Sequence, residues 1–250
     1  MSLGSVFRDA DVARAYRQRA PYPEETFAIL AELIVEPRTV LDAGTGTGAL
    51  ARPMLQFAER VDAVDPSAAM IDAGRRLPGG DDHRLRWIAG TAEDAPLDPP
   101  YGLITAGSSV HWMDTERVMG RFETALARGA QLALVETDDG EHPLPEMLEI
   151  IRRYSELDHH ADLGDTVATL EASGRFERRG ERRTAPVPLR RSVEDYLDFL
   201  HSTSTLARVR LGPRATQFDA EVRALFLRNG LSFIERQVVG VVIWGRPVGR

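Results

Sequence analysis

The sequence contains no cysteine, and this absence removes several kinds of chemistry at once. The chain cannot form disulfide bonds, a thiolate zinc site or a thiol nucleophile. Its 250 residues are 43% hydrophobic and 28% charged, which favours one large globular domain with a sizeable core.

Long hydrophobic runs are also missing. The longest, Val238 to Trp244, is far shorter than the roughly 20 residues of a membrane span, and the N-terminus lacks a basic-then-apolar secretory pattern. We therefore expect a cytoplasmic protein that does not associate with membranes.

Excess positive charge is absent as well, since the net charge is −7 at pH 7. Nucleic-acid binding requires a basic surface that neutralises phosphates. The charge therefore argues against a nucleic-acid partner.

The first half of the chain alternates between strand-like and helix-like patterns. Strands are predicted at 39–41, 60–64, 85–88, 103–106 and 131–135, and helices at 48–58, 67–76 and 115–127. Asp114 is the expected N-cap of the last helix and Gly129 its expected stop. This alternation predicts a parallel sheet covered by helices on both faces.

The second half has a different rhythm. Helices are predicted at 144–154, 166–172 and 219–229, strands at 176–187 and 238–244, and a capping box at Ser192 that starts a further helix. We expect extra helices laid over a sheet that the final strands complete. A separately folding second domain is the alternative.

A glycine-rich turn follows the first strand, with Gly44, Gly46 and Gly48 in a G-x-G-x-G spacing. Glycines allow positive φ and close approach of a ligand to the backbone, and the next helix offers unpaired N–H groups. Asp65 ends the second strand, where a carboxylate can accept hydrogen bonds from both ribose hydroxyls of an adenosine group. The alternatives are a plain strand-to-helix turn and a helix N-cap at Asp65.

Two ligand classes use this geometry, dinucleotides and S-adenosylmethionine. Dinucleotide sites normally have the spacing G-x-G-x-x-G, which seats a pyrophosphate on the helix N-terminus. Here Asp42 stands two places before the first glycine, where it would repel a pyrophosphate and attract the α-ammonium of a methionine moiety.

Four segments, LDAGTGTG, VDAVDPSAAM, WIAGTAEDAPL and LITAGSSVHWMD, resemble in order and spacing the motifs of class I S-adenosylmethionine-dependent methyltransferases. The resemblance is strongest to the small-molecule group that includes trans-aconitate methyltransferase, and it covers residues 10–137 well. It implies a Rossmann-like α/β fold with a seven-stranded, mostly parallel sheet, helices on both faces and a helical cap.

The resemblance also implies which residues bind the cofactor. Gly44 and Gly46 would line the methionine portion, Asp65 would hold the ribose, and Met70 would pack on adenine unless it is an ordinary core residue. Thr91 replaces a common aspartate, which weakens one contact to adenine. The complete predicted cofactor set is Asp42, Gly44, Thr45, Gly46, Asp65, Pro66, Met70, Thr91, Ala92, Glu93 and Ser108.

His111 and Trp112 follow the fourth predicted strand, and in similar proteins this pair borders the acceptor pocket. His111 is the candidate base or acceptor-orienting group. The alternative is a histidine packed in a loop beside a core tryptophan.

The N-terminal segment resembles the lid of the same family, with Tyr16, Arg19 and Tyr22 as substrate or lid candidates, and Trp112 after the fourth strand is a further candidate. Its alternative is a solvated surface helix. Seven arginines between Arg175 and Arg191 could clamp an anionic acceptor, but we favour the solvent-exposed face of a strand.

No metal is expected. Asp138 and Asp139 follow the fifth strand without a matching aspartate at the end of the fourth, and the stretch from Asp158 to Asp162 has ligand types without a defining spacing.

We therefore expect one methyltransferase domain over residues 1–250, with a cofactor-binding core at about 35–137 and cap helices from about 5–34 and 140–230. The expected reaction transfers a methyl group from S-adenosylmethionine to oxygen or carbon of a small organic acceptor, leaving S-adenosylhomocysteine. The alternatives are a catalytically silent module that binds these nucleosides and a nicotinamide-dependent oxidoreductase. The oligomeric state is left open.

Overall fold

A computed structural model describes residues 3–140, 142–155 and 163–249 of the chain. The stretch from Asp158 to Asp162, considered above for metal binding, lies outside the described residues. Within those ranges no helix combines the length and apolar character that crossing a bilayer requires.

The described residues form one mixed sheet. Its strands are β1 (Thr39–Ala43), β2 (Arg60–Asp65), β3 (Leu85–Ala89), β4 (Leu103–Gly107), β5 (Leu132–Asp138), β6 (Phe176–Arg183), β7 (Val187–Ser192) and β8 (Phe233–Pro247). The strand order is β3-β2-β1-β4-β5-β8-β6, and β7 also pairs with β8.

The five strands from β3 to β5 along this order pair in parallel, whereas β8 runs antiparallel to β5, β6 and β7. This arrangement confirms the predicted Rossmann-like, mostly parallel sheet. The last predicted strand, at 238–244, corresponds to β8, which is longer than expected. Residues 233–238 of β8 pair with β7, and this brings the predicted seven strands to eight.

The helices are α1 (Ala10–Ala15), α2 (Glu24–Leu33), α3 (Ala51–Met54), α4 (Ala68–Arg75), α5 (Thr115–Ala125), α6 (Glu146–Tyr154), α7 (Leu163–Ala172), α8 (Val193–His201), α9 (Arg208–Leu211) and α10 (Ala215–Arg228). Short 3₁₀ turns occupy Leu3–Arg8, Tyr16–Gln18, Val110–Trp112 and Gly212–Arg214. The Asp114 cap is confirmed, because its carboxylate accepts from the backbone N–H groups of Glu116 and Arg117.

Two predicted helix boundaries are wrong. The helix expected at 48–58 is reduced to α3, since the positive φ values of Gly44, Gly46 and Gly48 extend the turn and Pro53 offers no N–H to the helix. Gly129 does not stop α5, which ends when Leu126 takes an extended conformation. Gly129 turns the chain three residues further on with φ of 85°.

The described chain divides into two compact units. Unit 1 takes the described residues within Met1–Ala20, Asp139–His160 and Val187–Val238, and unit 2 takes those within Pro21–Asp138, Ala161–Pro186 and Val239–Arg250. The prediction of a single domain stays a prediction.

Unit 2 has a core on each face of its sheet, because successive residues of β1 alternate: Leu41 and Ala43 belong to one cluster and Val40 to the other. Unit 1 has its own core, built around Tyr154, Tyr196, Phe218 and Phe226. Each unit therefore buries apolar surface independently.

Candidate functional site

The predicted glycine turn lies at the carboxyl end of β1. The backbone N–H groups of Gly44 and Thr45 both donate to the carbonyl of Val64 in β2, at 2.9 Å each. Gly44, Gly46 and Gly48 have φ values of 71°, 55° and 76°, in the left-handed region that favours glycine. The turn is therefore held against the end of β2 by backbone hydrogen bonds.

Asp42 is a buried carboxylate directly below this turn, with 2% of its surface exposed. Its oxygens accept hydrogen bonds from the hydroxyls of Thr45 at 2.5 Å and Thr105 at 2.7 Å. Burial raises the pKa of Asp42 to about 6, opposed by these two hydroxyls and reinforced by the nearby charge of Asp65. Among the described residues no cationic side chain lies within ion-pair distance of Asp42.

Asp65 is the second carboxylate at this edge, with 8% of its surface exposed. One oxygen accepts the N–H of Gly46 at 2.7 Å and the other accepts the N–H of Ser67 at 2.8 Å. Burial raises the pKa of Asp65, and the two N–H donors oppose that rise. Asp65 is not the N-cap of α4, because Ser67 caps that helix through its own hydroxyl.

The predicted adenine-binding residues lie in the segments that follow β2 and β3. Met70 is buried in the first turn of α4, and Ala92 belongs to the core on one face of the sheet. The hydroxyl of Thr91 lies 3.4 Å from a carboxylate oxygen of Asp94. Glu93 uses its carboxylate to accept the N–H of Asp114 at 2.7 Å. Its side chain therefore ties the loop after β3 to the start of α5.

The loop after β4 brings the candidate acceptor residues to the same edge. Ser108 has φ of 46° and is the one non-glycine residue with positive φ in the described ranges. His111 and Trp112 lie on a 3₁₀ turn, with ring centroids 4.7 Å apart. Both are exposed, Trp112 to 39%, so the alternative that Trp112 belongs to the core is wrong.

The three N-terminal lid candidates fall in different units. In unit 1, Arg19 donates to the hydroxyl and carbonyl of Ser202 and lies over the ring of Tyr16 at 5.2 Å. In unit 2, the hydroxyl of Tyr22 lies beside Gly107, where an added Cβ would be 2.6 Å from it. Tyr22 therefore reaches the end of β4 within unit 2.

The arginine-rich strands mainly form ion pairs at the surface. Arg182 pairs with Glu32, and Arg183 pairs with Asp138. Arg191 differs, because it is buried and bonds Asp139 at 3.0 Å. The two aspartates considered above as metal ligands are thus both bonded to arginines, and no cluster of three metal-binding side chains occurs among the described residues.

Two residues at this edge were missed by the sequence analysis. Thr105 supplies a hydroxyl to Asp42, and Ser109 donates to the carbonyl of Ala43 at 2.7 Å. A polar residue inside the otherwise apolar strand LITAG was the available signal for Thr105. Ser109 had no comparable signal, because its partner is a backbone atom.

Comparison with known proteins finds methyltransferases among the similar sequences. Residues 40–129 match a family model described as a methyltransferase domain. An uncharacterized methyltransferase of Mycobacterium tuberculosis H37Rv is 35% identical over 137 residues, which are 54% of this chain and 51% of that protein. Residues 40–129 are therefore similar to methyltransferase domains. The chain spans about half the length of the curated relatives it matches, which include a Mycobacterium bovis protein with the same identity.

Solved structures with this methyltransferase fold cover nearly the whole chain. A candidate type II methyltransferase from Anaeromyxobacter dehalogenans has a TM-score of 0.68 at 23% identity, covering 93% of this chain and 99% of its own. A methyltransferase from Thiobacillus denitrificans, in complex with S-adenosylhomocysteine, has a TM-score of 0.54 at 14% identity, covering 96% and 97%. At these identities the likeness concerns the fold, and it confirms the expected class I architecture.

Proposed function

We propose that the chain is an S-adenosylmethionine-dependent methyltransferase that acts on oxygen or carbon of a small organic molecule. The cofactor binds across the carboxyl ends of β1 and β2. The glycine turn holds its methionine portion, and Asp65 holds its ribose. S-adenosylhomocysteine is the second product.

The observation that carries this proposal is the pair of buried carboxylates, Asp42 and Asp65, at one edge of the sheet. The charge of Asp65 opposes ionisation of Asp42, and the described residues provide Asp42 with no cation. A ligand with an α-ammonium and a ribose diol supplies a positive charge and two donors to this edge. A pyrophosphate would add negative charge beside two carboxylates, which disfavours a dinucleotide.

Asp65 retains the capacity to bind a ribose. Each oxygen of a carboxylate has two lone pairs, and each oxygen of Asp65 uses one of them for a backbone N–H. The remaining lone pairs accept the two ribose hydroxyls. The backbone bonds fix the orientation of the carboxylate before the ligand arrives, so binding does not have to order it.

The chain's own residues contribute mainly binding and orientation. When bound, S-adenosylmethionine supplies an electrophilic methyl group on a sulfonium. The turn from Gly44 to Gly46 fixes its position, and the loop that carries His111 and Trp112 borders the acceptor. Alignment of acceptor and methyl, with exclusion of water, provides most of the acceleration for such a displacement. For a hydroxyl or carbon acid, the imidazole of His111 takes the proton.

The expected activity is acceptor-dependent formation of S-adenosylhomocysteine, measured with a panel of small hydroxyl, carboxylate and carbon-acid acceptors. Binding of S-adenosylmethionine without turnover on any acceptor would instead favour a silent binding module. Binding of NAD with no binding of the adenosyl sulfonium would overturn the proposal.

Asp65→Asn provides a test of the ribose contact. Loss of a charged acceptor should raise the Kd for S-adenosylhomocysteine by about a hundredfold, since hydrogen bonds to charged groups are worth about 1.5–3 kcal/mol. Asp62→Asn is the matched control, because Asp62 is a buried carboxylate of the same strand that bonds Tyr101 instead. Equal affinity of the Asp65 variant and the control would contradict the assignment.

A further inference from the structure

The pairing between β1 and β4 ends before the carboxyl-terminal residue of either strand. The order of strands reverses at β1, which has β2 on one side and β4 on the other. The register between β1 and β4 runs from Val40 with Leu103 to Asp42 with Thr105 and then stops. Open α/β sheets bind ligands at such a reversal, beyond the carboxyl ends of the strands.

Ser109 connects β1 to the loop after β4 at this edge of the sheet. Beyond the last paired residues, the carbonyl of Ala43 accepts the hydroxyl of Ser109 at 2.7 Å. Ser109 is 6% exposed, so water does not readily replace this bond. One hydroxyl therefore connects the last residue of β1 to the loop that follows β4.

The contact is also steric. A Cβ atom added to Gly44 would lie 2.5 Å from the Cβ of Ser109, 2.9 Å from its hydroxyl oxygen and 3.4 Å from the Cε of Met113. Real Cβ atoms do not approach that closely, so the Ser109 side chain fills the space next to the Cα atom of Gly44. A side chain at position 44 would therefore clash with Ser109, and the φ of 71° would strain it as well.

The backbone of the loop is itself strained next to this contact. Ser108 has φ of 46°, a conformation that costs free energy for a residue with a side chain. Its N–H donates to the carbonyl of Val135 in β5 at 2.9 Å. Bonds on both sides, to β5 through Ser108 and to β1 through Ser109, hold the loop in this conformation.

We infer that Ser109 is a positioning residue that holds the loop Ser108–Met113 against the glycine turn. Through this contact it sets the separation between the methyl donor and the acceptor. His111 and Trp112 lie two and three residues beyond Ser109. A change at Ser109 moves them relative to Gly44. The identity of the ligand rests on the proposed function, whereas the position of the loop rests on the contacts described above.

Ser109→Ala tests the hydroxyl bond. The Kd for S-adenosylhomocysteine should rise about tenfold, because the lost hydrogen bond no longer holds the loop and binding then has to order it. Hydrogen exchange of the unliganded protein should become faster across residues 108–113 and stay unchanged elsewhere in unit 2. Ser173→Ala is the control, since it removes a similar hydroxyl-to-carbonyl bond, to Leu170 at 3.0 Å. The control should leave the Kd and exchange at 108–113 as in the wild type.

A double-mutant cycle tests the steric contact. Gly44→Ala should raise the Kd much more in the wild-type background than beside Ser109→Gly, with at least about a tenfold difference between the two effects. Strain from the positive φ of residue 44 is common to both backgrounds and cancels. Additive effects of the two substitutions would overturn the steric part of the inference.

The outcomes separate this inference from the proposed function. A wild-type chain that binds no S-adenosylhomocysteine refutes the function, whereas exchange at residues 108–113 still tests the contact in the unliganded protein. A wild-type chain that binds, combined with unchanged Kd and unchanged exchange in Ser109→Ala, refutes the role of Ser109. Should that variant fail to fold, Ser109→Cys, which is slightly larger than serine but fills the same space and weakens the donor, is read in the same way.

Discussion

At the scale of single residues, the buried carboxylate of Asp42 gives the site a pH dependence. Its pKa is raised from 3.8 to about 6 in the folded protein by burial. Between these two values the native state holds a proton that the unfolded chain has released, so stability falls as pH rises through this window. Above about pH 6 the cost is constant, at up to about 3 kcal/mol from the shift of roughly two pKa units.

Asp42→Asn should remove this dependence. The free energy of unfolding of the wild type minus that of the variant should decrease between pH 4 and pH 6.5 and then level off, in urea titrations at each pH. In the same range the wild type should bind S-adenosylmethionine more tightly as Asp42 ionises, whereas binding to the variant should be weak and should lack the increase that Asp42 causes. A difference in unfolding free energy that does not vary with pH would contradict the raised pKa.

At the scale of elements, the packing of α4 on β3 depends on a helical glycine. A Cβ atom added to Gly74 would lie 2.4 Å from the Trp87 ring and 2.8 Å from the carbonyl oxygen of Thr47. Helix propensity alone would make Gly74→Ala stabilising by up to about 1 kcal/mol. We expect destabilisation by about 1–3 kcal/mol instead, because the added methyl group overpacks the contact.

Gly120→Ala in α5 is the control for that prediction, since its added Cβ would make an ordinary contact, 3.4 Å from the Cα of Gly249. Chemical denaturation should show the control to be neutral or stabilised. Equal effects of the two substitutions would mean that propensity, and not packing, decides the outcome at Gly74.

Local patterns predicted the elements well where one physical cause dominates. Alternating or continuous apolar residues identified β1 to β5, and side-chain capping identified the starts of α5 and α8 at Asp114 and Ser192. The predicted helix at 48–58 was wrong because three glycines and Pro53 compete with helix formation. Ser109 was missed because its function depends on the backbone of a strand 66 residues away in sequence.

At the scale of the whole molecule, the sequence predicted the fold better than the organisation of the remaining chain. Tyr16 and Arg19 lie in unit 1, whereas Tyr22 lies in unit 2, although all three fall within seven consecutive residues of the sequence. Their division follows from long-range packing, which a local pattern does not encode. The cytoplasmic location, the acceptor and the single-domain organisation stay predictions.

Ligand binding should raise the stability of the folded chain by mass action. At a free S-adenosylhomocysteine concentration of 100 times its Kd, the expected gain is about 2.7 kcal/mol. Hydrogen exchange should place the new protection at the ends of β1 and β2 and at the loop after β4. Protection confined to unit 1 would mean that the ligand binds elsewhere.

The central claim is that the edge formed by Asp42, Asp65 and the glycine turn binds an amino acid joined to a nucleoside and not a dinucleotide. Isothermal titration calorimetry of the full chain with S-adenosylhomocysteine and, in parallel, with NAD tests it most directly. We predict saturable binding of one S-adenosylhomocysteine per chain and no measurable heat from NAD. Binding of NAD with no response to S-adenosylhomocysteine would contradict the account.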